Sequence, residues 1–176
     1  MDFFEMVGRR RSVRRFDGRP VPEEYIAKML RAALSAPSSK NTHSSSFMVV
    51  DDRELLSSLS EMRDFGSAFL KDVPLGIVVM GDEAVTDLWV DNAAISATYI
   101  QLGAQALGLG SCWVHVNGRP RKKDDPGEGF AEDYLKTLLP VPKGRRILCV
   151  IAIGYPADDS RPEREHPDVG ALVIRL

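Results

Sequence analysis

The stretch DEAVTDLWVDNAAISATYIQLGAQALG, residues 82–108, decides how this chain has to be built. Its propensity is helical from Glu83 to Leu107, and Gly108 is placed to end the helix, because glycine accepts the left-handed backbone of a C-terminal cap. Small and apolar side chains run most of the way round it. Such a helix is covered on nearly all sides, either by a core or by another subunit.

The flanking segments supply a sheet for it to lie against. LGIVVMG (75–81) is a continuous apolar run between turn residues, which predicts a buried strand. GSCWVHV (110–116) and RRILCVIAIGY (145–155) read the same way, with a helix, GFAEDYLKTLL (129–139), between them. Upstream, DFFEMVGRR (2–10) reads as a short amphipathic helix with Phe3, Phe4, Met6 and Val7 on its apolar side. A longer helix follows Pro22, with Glu23 and Glu24 at the positive end of its dipole and Ile26, Met29, Leu30, Ala33 and Leu34 at helical spacing. Pro37 ends it. SFMVV (46–50) predicts a strand, and a helix follows from Asp52, with Leu55, Leu56, Leu59 and Met62 on one face. RPRKKDDPGE (119–128) carries charges that cancel locally and reads as a solvated loop. ALVIRL (171–176) is a last strand-like segment, cut off by the Pro-rich YPADDSRPEREHPD (155–168), which could carry it away from its own subunit. Helices alternate with buried strands, so the class is α/β or α+β.

The chain has 176 residues and no linker or internal repeat, which predicts one domain over residues 1–176. Lys plus Arg is 23 against 25 for Asp plus Glu, a net charge of −2. That balance argues against a surface that tracks a nucleic acid, and no stretch is apolar for long enough to span a bilayer. Cys112 and Cys149 both lie in apolar runs and read as buried thiols. With no export signal and no disulfide framework, the expected compartment is the cytoplasm.

Several chemistries lack an anchor. There is no GxxxxGK[ST] phosphate loop and no GxSxG elbow. GLGSCW (108–113) enters a strand and lacks a third glycine, so it is not a dinucleotide fingerprint. His43, His115 and His166 are scattered and neither cysteine has a partner at metal spacing, so no metal site is expected.

What remains is RRRSVRRF (9–16), five arginines in eight positions. A nucleic-acid arm, a solvated basic stretch and a phosphate clamp compete for it. A clamp needs forked donors and a hydroxyl, and Ser12 among Arg10, Arg11 and Arg14 provides both. APSSKNTHSSSF (36–47) is a turn dense in small polar donors, where Asn41 offers both a donor and an acceptor.

RRSVRRF, VPEEYIAKMLRAALSAPSSKN, GLGSCW and CVIAIGYPA, in order along nearly the whole chain, together resemble the FMN-dependent nitroreductase family. The resemblance implies an α+β fold with a mixed central sheet flanked by helices. It implies an intertwined homodimer whose long central helix forms the interface, the C-terminal segment reaching the partner's sheet. It implies FMN as cofactor, NADH or NADPH as donor, and a small oxidised acceptor such as a nitroaromatic or a quinone. The alternatives within the fold are dehalogenation, flavin fragmentation or flavin binding without turnover. By position, Arg10, Arg11 and Ser12 would hold the phosphate, and Arg14 would lie by the pyrimidine end of the ring. Pro37, Ser38 and Ser39 would reach the flavin from the partner subunit, and Asn41 matches the family's cofactor-binding asparagine in that motif. A main-chain N–H among Val114, His115 and Val116 would face N5, which carries the chemistry, while Arg161 and Arg164 would complete the phosphate site. Many relatives read Gln-Pro-Trp after the asparagine where this chain reads HSSS (43–46), so His43 would alter the substrate side of that loop.

Overall fold

The structure, a computed structural model, describes residues 2–158 together with Val173 and Ile174. Arg161, Arg164 and most of the expected terminal strand lie outside the described residues.

Four strands form the central sheet: β1 (Ser45–Val50), β2 (Leu75–Asp82), β3 (Gly110–His115) and β6 (Arg145–Gly154). Their order is β1-β2-β6-β3 and each pairing is antiparallel. The parallel component enters at the outer side of β3, where Ser12 bridges Ser111. Strands β2 and β6 lie in the middle and are buried on both faces, as their unbroken apolar runs require.

Helices cover both faces. Helices α3 (Arg53–Ser60) and α5 (Ala131–Leu138) set Leu56, Leu59 and Leu135 against Val78, Met80 and Val150. On the other face α2 (Glu23–Leu34) and α4 (Trp89–Ala106) set Ile26, Met29, Ala97 and Ile100 against Ile77, Val79 and Ile151. Each such buried aliphatic side chain contributes on the order of 1.5–3 kcal/mol. A short helix, α1 (Phe3–Arg9), packs against α4.

Helix α4 starts at Trp89, six residues later than its propensity suggests. The Asp82 carboxylate accepts the Ala84 N–H at 3.0 Å, and Thr86 Oγ1 accepts the Leu88 N–H at 3.1 Å, so local side chains hold residues 82–88 as turns. Its far end follows expectation. Gly108 has φ 75°, Leu109 N–H donates to Ala104 C=O at 2.8 Å and Gly108 N–H to Gln105 C=O at 3.1 Å. Those two bonds are the Schellman pair. One side of α4 stays uncovered. Ile95 and Tyr99 are each 37% exposed, and with Leu88, Phe3, Phe4 and Val7 they leave an apolar stripe at the surface.

The charged segment at 119–128 is a hairpin rather than a loop: β4 (Pro120–Lys122) and β5 (Asp125–Phe130) pair antiparallel. Its basic run followed by an acidic one hid the strand pattern. Asp64 fixes it from outside, donating its N–H to Arg121 C=O at 2.9 Å and accepting the Lys123 N–H at 2.9 Å.

The first turn of α5 carries Glu132, only 5% exposed. Arg146 Nε lies 2.9 and 3.1 Å from its two oxygens, Arg146 Nη2 donates at 2.9 Å, Lys136 Nζ lies at 2.8 Å, and the Ile147 N–H donates at 3.1 Å. This carboxylate joins the helix to the central strand β6.

Candidate functional site

The arginine segment leaves α1 in an extended conformation. Arg11 Nη1 donates to the Gly8 and Arg10 carbonyls at 2.7 and 2.9 Å, closing the helix end. Val13 is then buried, and its N–H donates to Ser111 C=O at 2.9 Å, while Ser12 and Arg14 on either side of it are exposed. Further on, the chain is tied to the residues after β6. Asp17 N–H donates to Tyr155 C=O and Ala157 N–H to Arg15 C=O, both at 3.0 Å. The arginines are thus displayed from a backbone fixed at both ends.

Gly110 makes this placement possible. A Cβ there would lie 2.4 Å from Val13 Cγ2 and 2.8 Å from Val13 Cβ, so the arginine segment can reach β3 only across a glycine. Gly110→Ala is expected to push Val13 outward and cost about 1–3 kcal/mol of stability. A thermal midpoint equal to that of the parent protein would show that the segment tolerates the methyl group.

Around Cys112 the segment's charges meet. Burial pushes its thiol up, while the charges of Arg14 and Arg10 and the Ser12 hydroxyl oppose the rise. An open cleft of about 260 Å³ adjoins the segment, lined by Val13, Arg14, Arg15 and Asp158.

The Pro-Ser-Ser turn is held by a residue that sequence reasoning missed. Asn92, on α4 and 2% exposed, accepts the Ser39 N–H at 2.8 Å and donates to Ser44 Oγ at 2.9 Å and Thr42 Oγ1 at 3.4 Å. Ser38 Oγ accepts the His43 N–H at 3.1 Å. Within this clasp Lys40, Asn41 and His43 have φ of 50°, 56° and 46°, a left-handed backbone that costs about 1 kcal/mol or more per side chain. Asn41 and His43 are exposed; Pro37 is exposed and Ser38 and Ser39 are half-buried.

The third group lies at the end of β3. Val116 N–H donates to Leu148 C=O at 2.9 Å and Val114 stands opposite Val150, so both point their backbone groups into β6. Antiparallel alternation therefore turns the N–H and C=O of His115 away from β6. Its carbonyl accepts from Arg63 Nη1 at 3.3 Å, and its Nδ1 accepts from Trp113 Nε1 at 3.2 Å. Burial, then Arg119 and Arg63, hold the imidazole below its usual pKa, consistent with the acceptor role of Nδ1.

The clamp and the Pro-Ser-Ser turn lie apart along α4. Gln101, also on α4, donates to Ser111 Oγ at 3.3 Å beside the arginine segment, whereas Asn92 holds the Pro-Ser-Ser turn. Nine helical residues separate them, about 13 Å of rise. Their signal in the sequence was an amide on each of two buried turns of an otherwise small and apolar helix.

Comparison with known proteins bears on this arrangement. The family model described as "Nitroreductase family" matches residues 7–91 and 57–155. A protein of Methanothermobacter thermautotrophicus, provisionally named NADH dehydrogenase/NAD(P)H nitroreductase, is 36% identical over 162 residues, covering 90% of this chain and 80% of its own. The solved structure of an FMN-dependent nitroreductase from Clostridium difficile R20291 superposes with a TM-score of 0.90 at 37% identity, covering 99% of this chain and 98% of that one. More distantly, an iodotyrosine deiodinase of Haliscomenobacter hydrossis is 23% identical over 98% of this chain and 88% of its own length. Sequence, fold and the order of the motifs agree: the chain belongs to the nitroreductase family.

Proposed function

We propose that this protein is an FMN-dependent oxidoreductase that takes a hydride from NADH or NADPH and reduces a small oxidised acceptor of the nitroaromatic or quinone kind. The observation that carries the reading is the extended arginine segment pinned to the side of β3, with Ser12 and Arg14 exposed on either side of the buried Val13. This donor set fits FMN: forked cations and a hydroxyl suit its phosphate, and a backbone N–H, that of His115, is turned outward further along the same strand. When bound, FMN supplies the ring that accepts and returns the hydride.

Arg10 and Ser12 hold the phosphate, and Arg11, by closing α1, sets the direction in which they are presented. Arg14 places positive charge at the pyrimidine end of the ring, where electron density gathers on reduction. Of Val114, His115 and Val116, it is His115 whose N–H meets N5. Arg161 and Arg164 remain proposals for the phosphate site.

The working unit is a homodimer with a flavin site at each subunit boundary. Two observations support it: the 13 Å offset between the clamp and the Pro-Ser-Ser turn along α4, and the stripe of Leu88, Ile95 and Tyr99 beside Phe3, Phe4 and Val7. A partner's Pro37, Ser38, Ser39 and Asn41 then complete each site. Donor and acceptor use the same cavity in turn, so initial-rate plots are parallel. Both cysteines are buried free thiols, in keeping with a cytoplasmic enzyme.

The test begins with the visible spectrum of the protein after FMN addition and desalting. About one flavin per chain, with steady NAD(P)H oxidation once a quinone is present, supports the reading; a colourless protein overturns it. Arg10→Ala is expected to weaken FMN binding by about 1.5–3 kcal/mol, roughly ten- to a hundredfold in Kd. Unchanged affinity would remove Arg10 from the clamp.

A further inference from the structure

We propose that Arg63, Arg119 and Arg121 form a receptor for an anionic group, a carboxylate or phosphate, carried by the reactant that approaches His115. This rests on the reading of His115 as the residue beside the flavin ring, and it names a reactant class that the reading leaves open.

Arg63 is not a free surface cation. Its Nη1 holds the His115 carbonyl at 3.3 Å, on the side of β3 to which the His115 N–H is also turned. A ligand brought to that N–H therefore arrives beside this guanidinium. Arg119 is close enough for its charge to weigh on both Arg63 and His115. Arg121 follows on β4, stacked 4.2 Å over the Tyr134 ring, with its carbonyl fixed by the Asp64 N–H at 2.9 Å.

Protein groups compensate this charge only in part: the Asp64 carboxylate bears on Arg63 but does not pair with it. Among the described residues, none of the three guanidinium groups forms an ion pair with a carboxylate. The nearby acids form no ion pair with these forks: Asp64 accepts the Lys123 N–H, and Glu61 lies by the Tyr134 hydroxyl. The Nε atoms of Arg63 and Arg121 are buried without a hydrogen-bond partner. A buried guanidinium donor left unpaired is unfavourable, and like charges gathered together add to that. An oxyanion held by these forks relieves both, because carboxylates and phosphates accept guanidinium bonds in pairs.

The experiment uses FMN-loaded protein and matched reactants that differ in one charge. 4-Nitrobenzoate is compared with 4-nitrobenzamide as acceptor, and NADPH with NADH as donor, in the parent and in Arg63→Gln, Arg119→Gln and the double variant. Calorimetric titration of benzoate into oxidised protein gives a readout independent of turnover. The expected result is that the double variant lowers the kcat/KM ratio of the charged over the neutral member by about tenfold and weakens benzoate binding in step. A change confined to the acceptor pair assigns the anion to the acceptor's carboxylate; one confined to the donor pair assigns it to the phosphate of NADPH. Unchanged ratios and unchanged benzoate affinity overturn the proposal. Arg119 is exposed, so its single variant carries the test should Arg63→Gln prove unstable. Protein that fails to hold FMN refutes the functional reading instead, and the benzoate titration still judges the cluster.

Discussion

Glu132→Ala is expected to lower the free energy of unfolding by about 3–5 kcal/mol, because it strands Arg146 beside the core with its principal counter-charge gone. Arg146 retains a contact to Glu83 at 2.8 Å, but that partner is exposed and cannot replace a carboxylate held on both oxygens. For a domain of this size the thermal midpoint should fall by roughly 10 °C. The effect also depends on pH. Burial alone would raise the Glu132 carboxyl, but bonds from Arg146, Lys136 and the Ile147 N–H outweigh it and hold the group below the ordinary glutamate value of 4.5. The unfolded chain therefore takes up this proton first as the pH falls. The stabilisation is complete above 4.5 and disappears as the pH drops through the lower folded value. Denaturant titrations of parent and variant should show a wide gap at pH 7 that narrows below pH 4.5; a gap of equal width at both would assign the loss to packing.

The second large effect is expected at Asn92. Alanine there removes three hydrogen bonds from one buried amide and leaves the Ser39 N–H without its acceptor. A loss of about 2–3 kcal/mol of stability follows, and the left-handed backbone at Lys40, Asn41 and His43 loses the clasp that maintains it. Since the proposed site takes Pro37, Ser38, Ser39 and Asn41 from the partner, FMN affinity should fall as well, even though Asn92 is not among the residues proposed to touch the cofactor. Fluorescence titration of FMN into Asn92→Ala checks this. Normal affinity with reduced stability would mean that the turn holds its shape without the clasp, or takes no part in the site.

Much of the fold was legible in the sequence because the strongest signals there are apolar. Continuous runs at 75–81 and 145–155 could only be strands buried on both faces, and Gly108 marked its cap by the backbone it tolerates. Polar competition was harder to read. The Asp82 and Thr86 side chains delayed α4 to Trp89, and the opposing charges of 119–128 hid a hairpin whose register is fixed by a distant residue, Asp64. In the same way, the arginine segment announced itself by composition, whereas Asn92, Gln101 and Arg63 act across 53, 10 and 52 residues of sequence and become visible only after folding. Gly110 was set aside as a failed dinucleotide motif, yet its meaning is steric, an approach to Val13 that no other residue allows.

The strand order has a consequence for biosynthesis. Strand β6 lies between β2 and β3, although it is the last of the four to be made. A chain emerging from the ribosome thus carries β2, apolar on both faces and open along one edge, for more than 60 residues before its neighbour at Arg145–Gly154 exists. Such an edge invites pairing with other nascent chains. Truncation anywhere before β6 should therefore yield aggregates rather than a smaller folded protein, and chaperone dependence should be greatest while β6 is still inside the exit tunnel.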